Sequence, residues 1–176
     1  DGFKEGLTIN IPNDNLEVIE NTIDKSRLVV KKSDVQKTLV LLLPFNFPLI
    51  ESDSIKSKTD FLKSKDGRLT NYALDYYSGA IIAIDSAKKL GYNLKVKIID
   101  FESTKKGNNI NSIVAKNDFS KVNAVIGPFI NSQVEEAAIL LEKYKIPIIS
   151  PLSSNNGKPY GNIFYAMPSE ELKREV

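Results

Sequence analysis

The sequence predicts an α/β domain with a doubly wound, mostly parallel sheet of about five strands and helices on both faces. Three observations predict it. Apolar runs of strand length recur at 38–45, 94–101, 122–126, 146–150 and 163–166. Segments of helical period lie between them at 71–90, 109–117 and 132–144. Strand and helix alternate at intervals of about 25 to 30 residues or longer, which is the spacing of right-handed βαβ units.

Thr38 to Phe45 (TLVLLLPF) is a continuous apolar run ended by the Pro44 region, as expected of a strand buried on both faces. Residues 46–69 read as a long, charged, Ser- and Lys-rich loop. From Asn71 to Leu90, Ala73, Tyr77, Ala80, Ile84 and Ala87 recur at helical spacing, and Gly91 follows as a stop. LKVKIIDF (94–101) is the second strand and 109–117 a short helix. VNAVI (122–126) is the third strand, closed by Gly127-Pro128. Ser132 to Tyr144 forms a helix with Val134, Ala137, Ala138 and Leu141 on one face. IPIIS (146–150) and IFYA (163–166) complete the set.

Composition narrows the function. The chain has 176 residues, 41% hydrophobic and 26% charged, as in a soluble globular protein. Its 24 basic and 22 acidic residues leave a net charge of +2, which gives no electrostatic reason to expect nucleic acid. The arginines are few and scattered (Arg27, Arg68, Arg174), which weakens that reading further. There is no Cys and no His, so Ser-His-Asp, Cys-His and His-rich metal chemistries are excluded within the chain. No enzyme activity, cofactor or metal is expected, although carboxylate- or Lys-dependent chemistry on a flavodoxin-like sheet stands as a minor alternative. No apolar run approaches the roughly 20 residues that span a bilayer.

Ligands of an open parallel sheet bind beyond the carboxyl ends of its strands, where strand order reverses. The residues expected there are Pro44, Phe45, Asn46 and Phe47 after the first strand. Asp100 to Ser103 follow the second, Gly127 to Ser132 the third and Ser150 to Asn156 the fourth. Ser132-Gln133-Val134-Glu135 matches a capping box, with Ser132 as N-cap. Such a helix start offers N–H groups and a partial positive charge to a carboxylate or phosphate, though the same box also caps helices that bind nothing. The loop after the fourth strand adds the hydroxyls of Ser153 and Ser154. Many hydrogen-bonding groups and no strong base suit holding a small polar ligand. No Gly-x-Gly-x-x-Gly follows the first strand, so a dinucleotide site is disfavoured and Asp100 reads as structural. Tyr72, Tyr76 and Tyr77 are expected to pack on the sheet.

Residues 37–176 resemble the first lobe of a type I periplasmic-binding protein, the fold of branched-chain amino acid receptors. The resemblance rests on TLVLLLPF, YYSGAIIAIDSAKKLG, KIIDFES, AVIGPFINSQVEEAA, IPIISPLSS and IFYAMPSEELKREV, in that order. It implies a bacterial envelope protein that clamps an amino acid-like solute between two lobes, for transport or sensing, with the second lobe absent from this chain. It places Ser132, Ser153 and Ser154 at the ligand; Asn131, Phe45 and Asn46, which follow the carboxyl ends of strands, are the other candidate ligand-binding residues. The loop after the first strand departs from the family in length and in Phe45-Asn46-Phe47. Residues 1–12 (DGFKEGLTINIP) resemble the closing part of a LysM repeat, which implies peptidoglycan as a partner of the parent protein, and 13–36 read as a polar linker. A ligand-free interaction module that regulates peptidoglycan synthesis is the alternative function.

Overall fold

The computed structural model describes residues 34–51, 57–64, 67–104, 107–155 and 160–169. The expected LysM remnant (1–12) and nearly all of the expected linker (13–36) lie outside the described residues.

The elements, in chain order, begin with β1 (Lys37–Leu43), α1 (Phe47–Glu51), α2 (Lys58–Lys63) and α3 (Arg68–Lys89). Next come β2 (Leu94–Asp100), a two-strand ribbon of β3 (Ser103–Thr104) and β4 (Gly107–Asn108), and α4 (Ile110–Lys116). The chain continues through β5 (Ala124–Ile126), α5 (Asn131–Leu141), a 3-10 turn (Glu142–Tyr144), β6 (Ile148–Ser154) and β7 (Ile163–Met167).

Five strands form one parallel sheet in the order β2-β1-β5-β6-β7. β1 pairs on one side with β2, from Lys37↔Leu94 to Leu43↔Asp100, and on the other with β5, from Leu39↔Ala124 to Leu41↔Ile126. Its unbroken apolar run follows from that position. Val40 and Leu42 enter one core while Leu41 and Leu43 enter the other. All four are fully buried, each contributing about 1.5 to 3 kcal/mol of apolar transfer. The first core lies under α4 and α5 and gathers Phe101, Ile110, Phe119, Val134, Ala138 and Ile148. The second lies under α3 and gathers Phe45, Ala73 and Phe129, with Tyr76, Tyr77, Ala80 and Ile84 packed around them. Helices on both faces of a five-stranded parallel sheet are the expected architecture.

The differences from expectation are local. Part of the expected loop at 46–69 is helical. Ser57 caps α2 by accepting the Asp60 N–H at 3.2 Å, a three-residue signal inside a run that looked merely charged. The helix expected from Asn71 starts at Arg68. The fourth strand runs four residues further than expected, so Ser153 and Ser154 are in β6 rather than in a following loop. A register irregularity between Ser150 and Ser154 lets the strand take in this hydroxyl-rich stretch.

Candidate functional site

The strand order reverses between β1 and β5, because β1 leads outward to β2 and β5 leads the other way to β6. The crevice at their carboxyl ends is therefore bounded by the turns after β1 and β5 and by the end of β6.

The turn after β1 is built from Phe45 and Asn46, and both are committed to the fold. Phe45 is buried, stacks on Phe47 at 5.2 Å and meets Tyr77 edge-on at 5.8 Å. Asn46 adopts a left-handed backbone (φ 57), a conformation Asn tolerates better than most residues. Its Nδ2 donates to Thr70 Oγ1 at 2.9 Å and to the Pro44 carbonyl at 3.3 Å. Its Oδ1 accepts the Ser103 N–H at 2.7 Å. With no exposed surface and every amide group engaged, Asn46 braces β1, β2 and α3 together. Replacing Asn46 by Ala should cost about 2 to 3 kcal/mol, because a buried backbone N–H and a buried hydroxyl lose their partner. Chemical denaturation of the variant checks this.

Asp100 completes the brace. Its carboxylate accepts the N–H groups of Asn46 and Phe47, each at 3.0 Å, which bears out its structural reading. Desolvation raises its carboxyl above the usual carboxylate value, and those N–H donors offset only part of the rise. The native chain therefore holds this proton to higher pH than the unfolded chain does. The resulting contribution to stability is present in full below the unfolded value of about 3.9 and is lost as pH rises through the raised native value. A carbon-detected NMR titration of the Asp100 carboxyl should show a midpoint above that of the exposed aspartates.

The turn after β5 opens a helix. Gly127 has φ 93, and a side chain there would sit 2.2 Å from the Leu42 carbonyl oxygen, so the turn hugs β1 only because this residue is glycine. The Gly127–Pro128 peptide is cis. The expected capping box is not formed. The N-cap of α5 is Ile130, which has no capping side chain, and Ser132 is exposed in the first turn. The Ile130 carbonyl accepts the N–H groups of Gln133 and Val134, both at 2.9 Å. The N–H groups of Asn131 and Ser132 are left without an acceptor among the described residues. Asn131 Oδ1 is also buried without a hydrogen-bond partner. An uncapped helix start with two open N–H groups presents the full N-terminal partial charge of α5 at the crevice.

On the β6 side, Ser153 is buried and its hydroxyl is bonded to that of Ser150. Ser154 is half-buried and pairs with Met167 in the sheet. Of the six residues singled out from sequence, Asn131 and Ser132 offer open groups at the crevice, Phe45, Asn46 and Ser153 are held within the fold, and Ser154 is half-buried in β6.

Sequence reasoning missed a recess beside them. Tyr72, Asp75, Tyr76 and Leu152 line a cavity of about 410 Å³. Tyr76 touches Phe129 edge-on at 5.5 Å, so the recess abuts the turn after β5. Tyr77 and Tyr76 pack inward as expected, but Tyr72 is 50% exposed. The i, i+4 spacing of Tyr72 and Tyr76 at the start of α3 was the available signal, because a helix that returns from β1 begins at the carboxyl edge of the sheet. Among the described residues, no group of three or more acidic side chains is placed to hold a metal, and no helix is long and apolar enough to cross a membrane.

No protein-family model matches the chain. No curated protein matches it either. Solved structures do. An ABC transporter substrate-binding protein from Desulfitobacterium hafniense is 20% identical with a TM-score of 0.52, over 80% of this chain and 37% of that one. The same protein in complex with Leu gives 18% identity and a TM-score of 0.52, with equal coverage. The branched-chain amino acid transporter substrate-binding protein LivJ from Streptococcus pneumoniae, in complex with isoleucine, is 20% identical with a TM-score of 0.56, over 77% of this chain and 34% of that one. The chain thus spans about a third of the length of the structures it matches. Its fold is that of one lobe of a type I periplasmic-binding protein.

Proposed function

We propose that this lobe binds a small, polar, amino acid-like solute through its carboxylate, as a non-enzymatic component of a bacterial envelope receptor for transport or sensing. The observation that supports it is the open start of α5. Two N–H groups without acceptors and a buried, unpartnered Asn131 Oδ1 lie at the point where strand order reverses. The N–H groups suit a carboxylate, and Asn131 Oδ1 suits a donor such as an ammonium group. The exposed Ser132 hydroxyl adds a group of either kind. The structural neighbours solved with Leu and isoleucine are in keeping with such a ligand. Placement in the periplasm or envelope belongs to the same reading, as does contact with peptidoglycan through the part of the protein that includes residues 1–12.

Replacing Asn131 by Asp separates a binding role from a purely structural one. An anionic side chain in the first turn favours the helix by about 0.3 to 1 kcal/mol. Because Asn131 Oδ1 is buried, a desolvation cost opposes that gain, so a purely structural site predicts a changed stability with an unchanged response to solutes. The binding reading predicts loss of the response in a protein that remains folded, because the new charge repels the carboxylate. The measurement is the saturable change in amide resonances across a panel of amino acids, with thermal unfolding as the control. A wild-type response that survives at full size in N131D overturns the proposal.

A further inference from the structure

Four buried polar residues form one chain of hydrogen bonds at the carboxyl edge of the sheet. Asn46 Nδ2 donates to Thr70 Oγ1 at 2.9 Å, the Ser103 N–H donates to Asn46 Oδ1 at 2.7 Å, and Gln133 Nε2 donates to Ser103 Oγ at 2.6 Å. The chain runs from α3, through the turn after β1 and the start of β3, to the first turn of α5. Ser103 and Gln133 are each 6% exposed, so their bond is shielded from water and holds its geometry more firmly than a surface bond would. The α5 end of this chain is incomplete. Gln133 Oε1 is buried without a hydrogen-bond partner, a cost that the fold bears. Gln133 is also the third residue after the N-cap Ile130, the position from which Glu or Gln turns back to accept the N-cap N–H in a capping box. Oε1 is the atom that would accept it. Turning the amide back would satisfy that oxygen and cap the helix, yet the side chain is committed to Ser103 instead.

We infer that Gln133, tethered by Ser103, is a positioning residue of the solute site: the tether fixes the first turn of α5 at the crevice and keeps the glutamine amide from folding back over the helix start. This rests on the reading of that helix start as a carboxylate site. The same turn carries the open N–H groups of Asn131 and Ser132, two and one residues before Gln133. On the β1 side the turn is located by the close approach of Gly127 to the Leu42 carbonyl. Ser103 supplies a second support, from the end of β2. The useful range of an N–H···O distance is about half an ångström wide, so a helix start left free to shift would lose its hold on a carboxylate.

The test uses the 176-residue chain, with leucine as the probe, read at the amides of Asn131 and Ser132. Ser103→Ala removes the acceptor of the tether and leaves the Ser103 N–H on Asn46. The amides of Ile130, Asn131 and Ser132 are expected to move in the ligand-free variant, and leucine to bind about fivefold more weakly or worse. Gln133→Met should give the same loss, and it carries the test by itself where S103A does not fold, as judged by circular dichroism. Ser103→Thr keeps the hydroxyl and should stay within about twofold of wild type. The double variant S103A/Q133M should bind no more weakly than the weaker single variant, because both changes remove the same bond. Ile148→Val, which trims the core at the amino-terminal end of β6, is the control: it should lower the melting temperature and leave leucine affinity unchanged. Additive losses in the double variant, or an equal loss of affinity in I148V, would overturn the inference. A wild-type response that S103A and Q133M keep at full affinity sinks the inference alone. Wild-type amides that are silent to every amino acid sink the carboxylate reading, and the inference with it.

Discussion

Replacing Ala73 by Asp is expected to prevent folding. Ala73 is fully buried in the first turns of α3, against Leu41, Leu43, Phe45 and Phe129. No described cation enters that cluster, so the new carboxylate would be unpaired in an apolar site. Such a change is among the few expected to cost more than about 4 kcal/mol, a large fraction of the 5 to 15 kcal/mol that holds a typical domain. The expected result is an insoluble or unfolded protein, judged by expression and far-ultraviolet circular dichroism. Ala80→Asp, two helical turns along the same face at a partly buried position, should cost less, because the charge is nearer water. A native spectrum and an unchanged melting temperature for A73D would mean that α3 presents a different face to the sheet.

Gly127→Ala is expected to have the second largest effect. Two costs combine at this position. A left-handed backbone is strained for any residue with a side chain, by about 1 to 3 kcal/mol. The new Cβ also falls 2.2 Å from the Leu42 backbone oxygen of β1, which has no freedom to swing aside. Overpacking of this kind adds about 1 to 3 kcal/mol. A total of about 3 kcal/mol or more corresponds to a fall in melting temperature of about 10 °C for a domain of this size. The start of α5 lies four residues on, so its geometry should move as well. The variant is expected to lose solute response even at temperatures where it remains folded. A melting temperature within about 2 °C of wild type would show that the turn does not press on β1 as described.

What was legible in the sequence follows from how far each signal reaches along the chain. The strands β1 and β2 and the helices α3 and α5 were recognisable because their burial is written into local periodicity. β1 reads as buried on both faces since four consecutive side chains enter two different cores. A parallel sheet with a reversal of strand order was legible at the level of fold class, because alternating elements restrict the topology, but the order itself and the place of the reversal between β1 and β5 were not. The site was less legible, for reasons of reach. Ser132-x-x-Glu135 has the pattern of a capping box, but the cap depends on where the turn after Gly127 places the first helical residue, and that is fixed by packing against Leu42. The failure of the box is what leaves the helix start open. Asn46 was correctly placed at the edge of the sheet, yet its role as a brace depends on Thr70 and Ser103, which are 24 and 57 residues away. The β6 boundary was missed because Ser150 to Ser154 contains Pro151 and three serines, a turn-forming composition that pairing with β7 overrides.

The central claim is that α5 begins without a cap so that it can receive a carboxylate. The most direct measurement is a pair of titrations followed at the backbone amides of Asn131 and Ser132 in the ¹H–¹⁵N spectrum of the 176-residue chain. The first uses an amino acid panel that includes leucine and isoleucine. The second uses the corresponding amino alcohols, which lack only the carboxylate. One wall of a site gives weak binding, so millimolar concentrations are appropriate. The expected result is that at least one amino acid moves both amides saturably downfield, while its amino alcohol leaves them where they are. Amides that stay silent across the whole panel, or that respond equally to acid and alcohol, would contradict the account.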